Sequence, residues 1–275
     1  MAELGHERCG LCEGIDELIA LNHILFPETP LYGGNGRLEL KQICSISEGD
    51  TSNNTELSFP AHSGTHIDAP YHFDQEGLSL DRVSVDFWLC QSPFLIEYSA
   101  HAGEIITLTT LLPLLQKIPV ETDLLLISSG METLRRSDPE TYIFHGAGLV
   151  TEIGLWLWKN KKLKMIGFDW ISLTCYENRS LGRVAHKVFL SSTSNEFENM
   201  KPILIIEDMK LSEAPTVLKS VLVSPLIYIK ADGAPLSVWG TLIYNLFLQA
   251  LFPYGLPTGK YFLMKYRRCY LCQRF

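Results

Sequence analysis

Four side chains suited to metal binding are crowded into the segment FPAHSGTHIDAPYHF, Phe59 to Phe73: His62, His66, Asp68 and His72. Imidazole and carboxylate are ligands that Zn2+ and Mn2+ accept. His66 and Asp68 are two apart, so in an extended segment they point to one face. Gly64 and Pro70 bracket the group with turn chemistry. A metal held by three protein ligands keeps one position open, and water there is acidified to near neutrality and becomes a nucleophilic hydroxide. A histidine not needed as a ligand could then shuttle protons. A lone histidine would be read as an ordinary core or surface residue. Four such groups in one short, turn-rich stretch argue for a site. Tyr71 and Phe73 flank His72 and are the aromatic residues best placed to cover a flat apolar substrate. Ser63 sits beside His62, but no G-x-S-x-G elbow makes it a nucleophile.

The surrounding pattern predicts the elements that must hold this segment. Leu38–Ile46 alternates apolar and polar residues, as a half-buried strand does. Phe94–Tyr98 is a short strand, and Leu108–Lys117 a short helix that needs Pro113 in its first turn or is broken there. Asp123–Ser129 is a continuous apolar run suited to a strand buried on both faces. Gly148–Lys159 reads as an amphipathic helix and Lys164–Asp169 as a buried strand ending in a carboxylate. Ligands bind at the C-terminal ends of strands in such sheets, so Asp169 is a further candidate. Ile203–Glu207 and Leu222–Ile229 are later strands, and the alternation of strand and helix indicates an α/β fold.

Composition narrows the function classes. The chain has 275 residues, 46% hydrophobic and 20% charged, with 23 Lys+Arg against 31 Asp+Glu and a net charge of −8. It is too apolar for disorder, and its acidity argues against nucleic acid or an anionic membrane as the main partner. No repeat or long linker interrupts it, so one domain is expected to about residue 235. Leu236–Phe252 is apolar but shorter than a bilayer span, and reads as a buried helix or a strand plus helix. Cys44, Cys90 and Cys175 read as free thiols of a reducing compartment, and with no secretory pattern before Ile15 the cytoplasm is expected. Cys9-Cys12 and Cys269-Cys272 would make a zinc site only if the termini meet.

HSGTHIDAPYHF resembles the HxGTHxDxPxHF signature of the metal-dependent cyclase/hydrolase family that contains bacterial kynurenine formamidase and isatin hydrolase. His62, Gly64, Thr65, His66, Asp68, Pro70, His72 and Phe73 all sit in register. Asn22-His23 with Pro30-Leu31-Tyr32, the strand in LKMIGFDWISL, and ADGAP (Ala231 to Pro235) extend the likeness over residues 15–235. Residues 236–275 have no counterpart, and the Ser128-Ser129-Gly130-Met131 turn departs from an Arg-Thr-Gly-Trp type. The resemblance implies a swivelling β/β/α domain that forms a homodimer or larger oligomer. It implies one or two ions of Zn2+ or Mn2+ on His62, His66 and Asp68, completed by His186 and a late glutamate. Glu207 is preferred as that glutamate and Glu198 is its rival. His72 would transfer protons. The implied reaction is hydrolysis of a C–N amide bond in a small aromatic or cyclic compound, of the arylformamidase or isatin-opening kind. Cyclisation or dehydration at the same metal, and a non-catalytic metal-binding protein, are the alternatives.

Overall fold

The computed structural model describes residues 18–190 and 201–242. In chain order, β1 (Leu18–Ala20) precedes a hairpin of β2 (Glu39–Cys44) and β3 (Asn54–Ser58), then β4 (His66–Asp68), β5 (Leu89–Cys90) and β6 (Pro93–Glu97). Next come β7 (Ile105–Ile106), α1 (Leu108–Leu115), β8 (Leu124–Ser128), α2 (Leu134–Ser137) and α3 (Pro139–Phe144). They are followed by β9 (Gly148–Leu149), α4 (Thr151–Asn160), β10 (Met165–Phe168), α5 (Arg179–Leu190), β11 (Leu204–Glu207), β12 (Leu218–Pro225) and β13 (Gly233–Leu242).

The main sheet has the order β5-β12-β13-β4-β11-β10-β8-β6, with β1 added on β13. β6, β8, β10 and β11 run parallel, while β4, β13, β12 and β5 pair antiparallel. The two ends of that order, β5 and β6, are joined in the chain by Gln91 and Ser92 alone. The Asp123 carboxylate pins this joint by accepting from both backbone N–H groups, at 2.8 and 3.0 Å. The sheet must therefore curl until its edges approach, and it nearly closes as a barrel.

Curling gives the strands two apolar faces. Leu124 and Leu126 of β8 pack inside the barrel with Ile67, Ile206, Val221 and Val238. Leu125 and Ile127 face outward onto Leu111, Leu115, Ile153, Leu157 and Phe189 of the helices. These four apolar side chains of β8 are 0% exposed. This is the mixed α/β domain expected, and the unbroken apolar run of β8 follows from burial on both sides.

Several elements differ in detail from the sequence reading. Pro113 lies in the second turn of α1, which is not broken but ends two residues later. The carbonyl deprived of a donor belongs to Thr109, which is exposed. Thr107 starts this helix with a capping box to Thr110. The helix expected from Gly148 begins at Thr151, because Gly148–Leu149 pairs with β7. The strand expected at Leu222–Ile229 is shifted to Leu218–Pro225, and the residues after it turn back toward Asp232. The apolar run after Leu236 is strand as far as Leu242, so β13 crosses the boundary drawn at residue 235. The rest of that run, the two CxxC pairs and Glu198 lie outside the described residues. Cys90 and Cys175 are buried free thiols and Cys44 is a half-buried one. No helix among the described residues is long and apolar enough to cross a membrane.

Burial on both faces has a direct test. Leu125→Ala and Leu126→Ala should each lower unfolding free energy by about 2–5 kcal/mol in urea denaturation, although they face opposite sides. A near-neutral result for either would mean that one face of β8 is not packed.

Candidate metal centre

β4 is three residues long and lies between β11 and β13. Its alternation sends Ile67 into the barrel and His66 and Asp68 to the outer face. Residues directly opposite in an antiparallel pair share a face. Glu207 is opposite His66, and Ile205, of the helix-side core, is opposite Asp68. Helix α5 packs over this face and brings His186 down onto it. Local sterics fix both approaches. Gly64 adopts φ +59°, and a side chain there would strike Leu25. A Cβ at Gly182 of α5 would lie 2.1 Å from the Thr174 hydroxyl, so only glycine lets the helix seat this closely. Thr65 ties the segment down: its hydroxyl donates to the Asp208 carbonyl and accepts from the His23 N–H.

The hydrogen bonds orient each ring. His66 Nδ1 lies 2.7 Å from the Gly64 carbonyl, and His186 Nδ1 lies 2.9 Å from the Gly182 carbonyl. A carbonyl only accepts, so both Nδ1 atoms carry hydrogen and the Nε2 atoms turn toward the carboxylates. His66 Nε2 is 3.5 Å from Asp68 and 3.4 Å from Glu207, and His186 Nε2 is 3.5 Å from each of the same two residues. The Glu207 carboxylate is in turn held by the Leu173 N–H at 2.6 Å and the Ser172 hydroxyl at 3.1 Å. Ligands on a tetrahedral ion with bonds of about 2.0–2.2 Å stand about 3.3–3.6 Å apart. His186 Nε2 keeps that spacing from Asp68 Oδ2 and Glu207 Oε1, while His66 Nε2 approaches the other oxygen of each carboxylate. Asp68, His186 and Glu207 form one candidate ligand group, and Asp68 is shared with a second group of His62 and His72.

Without metal, protons must supply the positive charge. Burial pushes His186 down, but its hydrogen bonds to Asp68 and Glu207 outweigh this and raise it to about 10. His62 likewise rises to about 10, since Asp68 and Asp232 outweigh its burial. Burial pushes the Asp68 carboxyl up, yet His62 and His186 hold it well below its usual range. Burial and the Asp68 charge push Glu207 up, but His186 and His66 bring it below its usual value. A histidine raised in the folded state stabilises fully below its unfolded value near 6.5, and that contribution fades as pH climbs toward 10. The melting temperature of EDTA-treated protein should therefore fall between pH 7 and pH 9.5. A divalent metal should remove most of that fall because it replaces the protons. A flat profile in EDTA would contradict the ion pairing.

The other candidates are distributed around these groups. His62 is held between two carboxylates, with Nδ1 2.8 Å from Asp68 and Nε2 3.0 Å from Asp232, and it reaches a metal only by giving one up. His72 lies 3.3 Å from Asp232 through Nδ1, and its ring is 4.0 Å from that of His62. Burial lowers its pKa, with His62 and His186 adding to the shift against Asp68 and Asp232. Both histidines open onto a cavity of about 360 Å3 lined also by Leu31, Tyr32, Phe73, Arg179 and Arg183. Phe73 lies 4.8 Å from the His186 ring, stacked on it. Tyr71 stands apart from Phe73: it is not among the residues that line this cavity, and its hydroxyl accepts from Gln75. The Asp169 carboxylate accepts from Ser129 N–H, Gly130 N–H and the Ser129 hydroxyl, pinning the turn after β8, and it does not line the cavity. Ser63 donates to the Pro60 carbonyl. Asp232, Arg179 and Arg183 escaped sequence reasoning. Asp232 had a usable signal, an acid in the Gly- and Pro-containing ADGAP turn. The arginines had only helical spacing from His186.

A family model described as "Putative cyclase" matches residues 19–174, a stretch that holds the histidine segment and ends before α5. Cyclase-like protein 1 of Arabidopsis thaliana is 27% identical over 220 residues, covering 78% of this chain and 81% of that protein. Kynurenine formamidase of Delftia acidovorans is 23% identical over 217 residues, covering 75% of this chain and 88% of its own. Isatin hydrolase A from Ralstonia solanacearum shares the fold with a TM-score of 0.64 at 20% identity, over 84% of this chain and 94% of that one. More than half of the chain matches the family model, with the histidine segment inside the match, and the chain belongs to the cyclase family.

Proposed function

We propose that this protein is a metal-dependent hydrolase that opens a C–N amide bond in a small aromatic or cyclic compound. The observation that carries the reading is the buried meeting of two imidazole Nε2 atoms and two carboxylates beside an aromatic-walled cavity. A kynurenine formamidase and isatin hydrolases among the relatives support an amide as the reacting group. Arylformamidase chemistry is the leading version and lactam opening the second.

His66, Asp68, His186 and Glu207 would hold the cation. Zn2+ or Mn2+ there supplies a Lewis acid and brings the pKa of water near neutrality. The chain's own groups do the rest. The Asp232 carboxylate only accepts, so the hydrogen of His72 sits on Nδ1 and Nε2 is left with a lone pair. His72 is neutral at pH 7, because its pKa is lowered. It can take a proton from water and deliver it to the leaving nitrogen. Phe73 and Tyr32 present ring surface for a flat substrate, and Phe73 also braces His186.

Metal analysis and turnover test this together. Purified protein should retain zinc or manganese, and Glu207→Gln and His186→Ala should lose it. His72→Ala should keep the metal and lose about 10²–10⁴-fold in rate. Metal-loaded protein that turns over neither N-formylkynurenine nor isatin would sink the amide-hydrolase reading as stated.

A further inference from the structure

Helix α5 carries more than His186 to the cavity. Arg179, Arg183 and His186 follow the spacing i, i+4, i+7 and so share one helix face. Both arginines are exposed and both line the cavity that contains Asp68, His186 and Glu207. Neither has a carboxylate partner among the described residues. Arg179 is not a loose surface charge. Its guanidinium carbon lies 4.7 Å from the centre of the Tyr176 ring. Tyr176 is itself fixed edge-on by Tyr32 at 5.5 Å and Phe144 at 5.3 Å. A planar cation stacked on a braced ring is ordered before anything binds.

Charge balance says what such a pair is for. The charges of Asp68 and Glu207 are matched by the cation or protons between them, so the arginines neutralise neither. Two positive charges with no carboxylate partner among the described residues, beside the cavity of a chain with net charge −8, attract an anion. Guanidinium forks match carboxylate geometry. The cavity volume of about 360 Å3 admits one small aromatic body between that pair and the metal donors. The geometry points to an anion subsite: the substrate carries a carboxylate that Arg179 and Arg183 hold while its apolar body lies against Tyr32 and Phe73. The inference depends on the amide-hydrolase reading only for which bond reacts, not for the acid group.

Calorimetric titration of the metal-loaded protein with benzoate and with benzamide is the test. Benzoate should bind about tenfold more tightly. That preference should disappear in the R179Q/R183Q double variant and largely survive in R179K/R183K, which keeps the charge. Equal affinities in the wild type overturn the proposal. So does a benzoate preference that persists in the glutamine variant, because the metal alone would then hold the carboxylate. A second arm compares kcat/KM for formanilide and its ortho-carboxylate analogue. The acid should be favoured by the wild type, and the ratio should fall about tenfold in the glutamine variant. If neither anilide is hydrolysed while benzoate behaves as expected, the hydrolase reading fails and the anion subsite stands. If both anilides are hydrolysed with the same ratio by wild type and variant, the subsite fails and the hydrolase reading stands.

Discussion

Two histidines and two carboxylates face one another with little exposure to solvent, and only positive charge among them, from a cation or from protons on the rings, makes that arrangement tolerable. Unpaired buried charge is among the most expensive features a fold can carry. His66, Asp68, His186 and Glu207 are each at most 5% exposed. Everything nearby serves to hold them in place. The Gly64 and Gly182 carbonyls fix the rings, Ser172 and Leu173 fix Glu207, and Phe73 stacks on His186. The groups are preorganised, so a cation meets donors that already point inward.

The same strand joins this polar cluster to the apolar core. In β4, Ile67 contributes to the barrel interior while its two neighbours bear the donors. Register is therefore set twice, by burial of Ile67 and by the pairing of His66 with Glu207. A slip of one residue would put two ionisable groups into hydrocarbon. The near-closure of the sheet reinforces this, because β4 has a neighbour on each side and no freedom to shift. Arg135 shows a similar economy: it binds Asp208, next to Glu207, at 2.8 and 3.0 Å, and Tyr142 donates to the same carboxylate. That buried trio anchors the end of β11 just beyond the donor it carries.

Much of the candidate site was legible because its first part is local. His62, His66, Asp68 and His72 lie within one turn-rich stretch, and their types and spacing announce ligand chemistry without reference to the rest of the chain. β8, β10 and β11 were equally plain, since strands buried on both faces have no polar positions to obscure them. His186 and Glu207 carry no such signal alone and were reached through the family likeness. Tyr71 adjoins His72 in sequence, but neighbouring side chains diverge in the 3-10 turn at Pro70–His72, and Tyr71 does not line the cavity with Phe73. The apolar stretch at Leu222–Ile229 misplaced a strand because exposed apolar residues in the following turn, Leu226, Ile227 and Ile229, extend the run.

By itself, the sequence determined the α/β class, the apolar strands of the sheet centre and the ligand chemistry of one segment, because each depends on neighbours a few residues apart. Tertiary structure alone decided that Glu207 pairs opposite His66, that Asp232 clasps both His62 and His72, and that two arginines share a cavity with these histidines. Those facts follow from a strand register and a helix seating. Both are settled by packing between residues far apart in the chain, which no local pattern encodes.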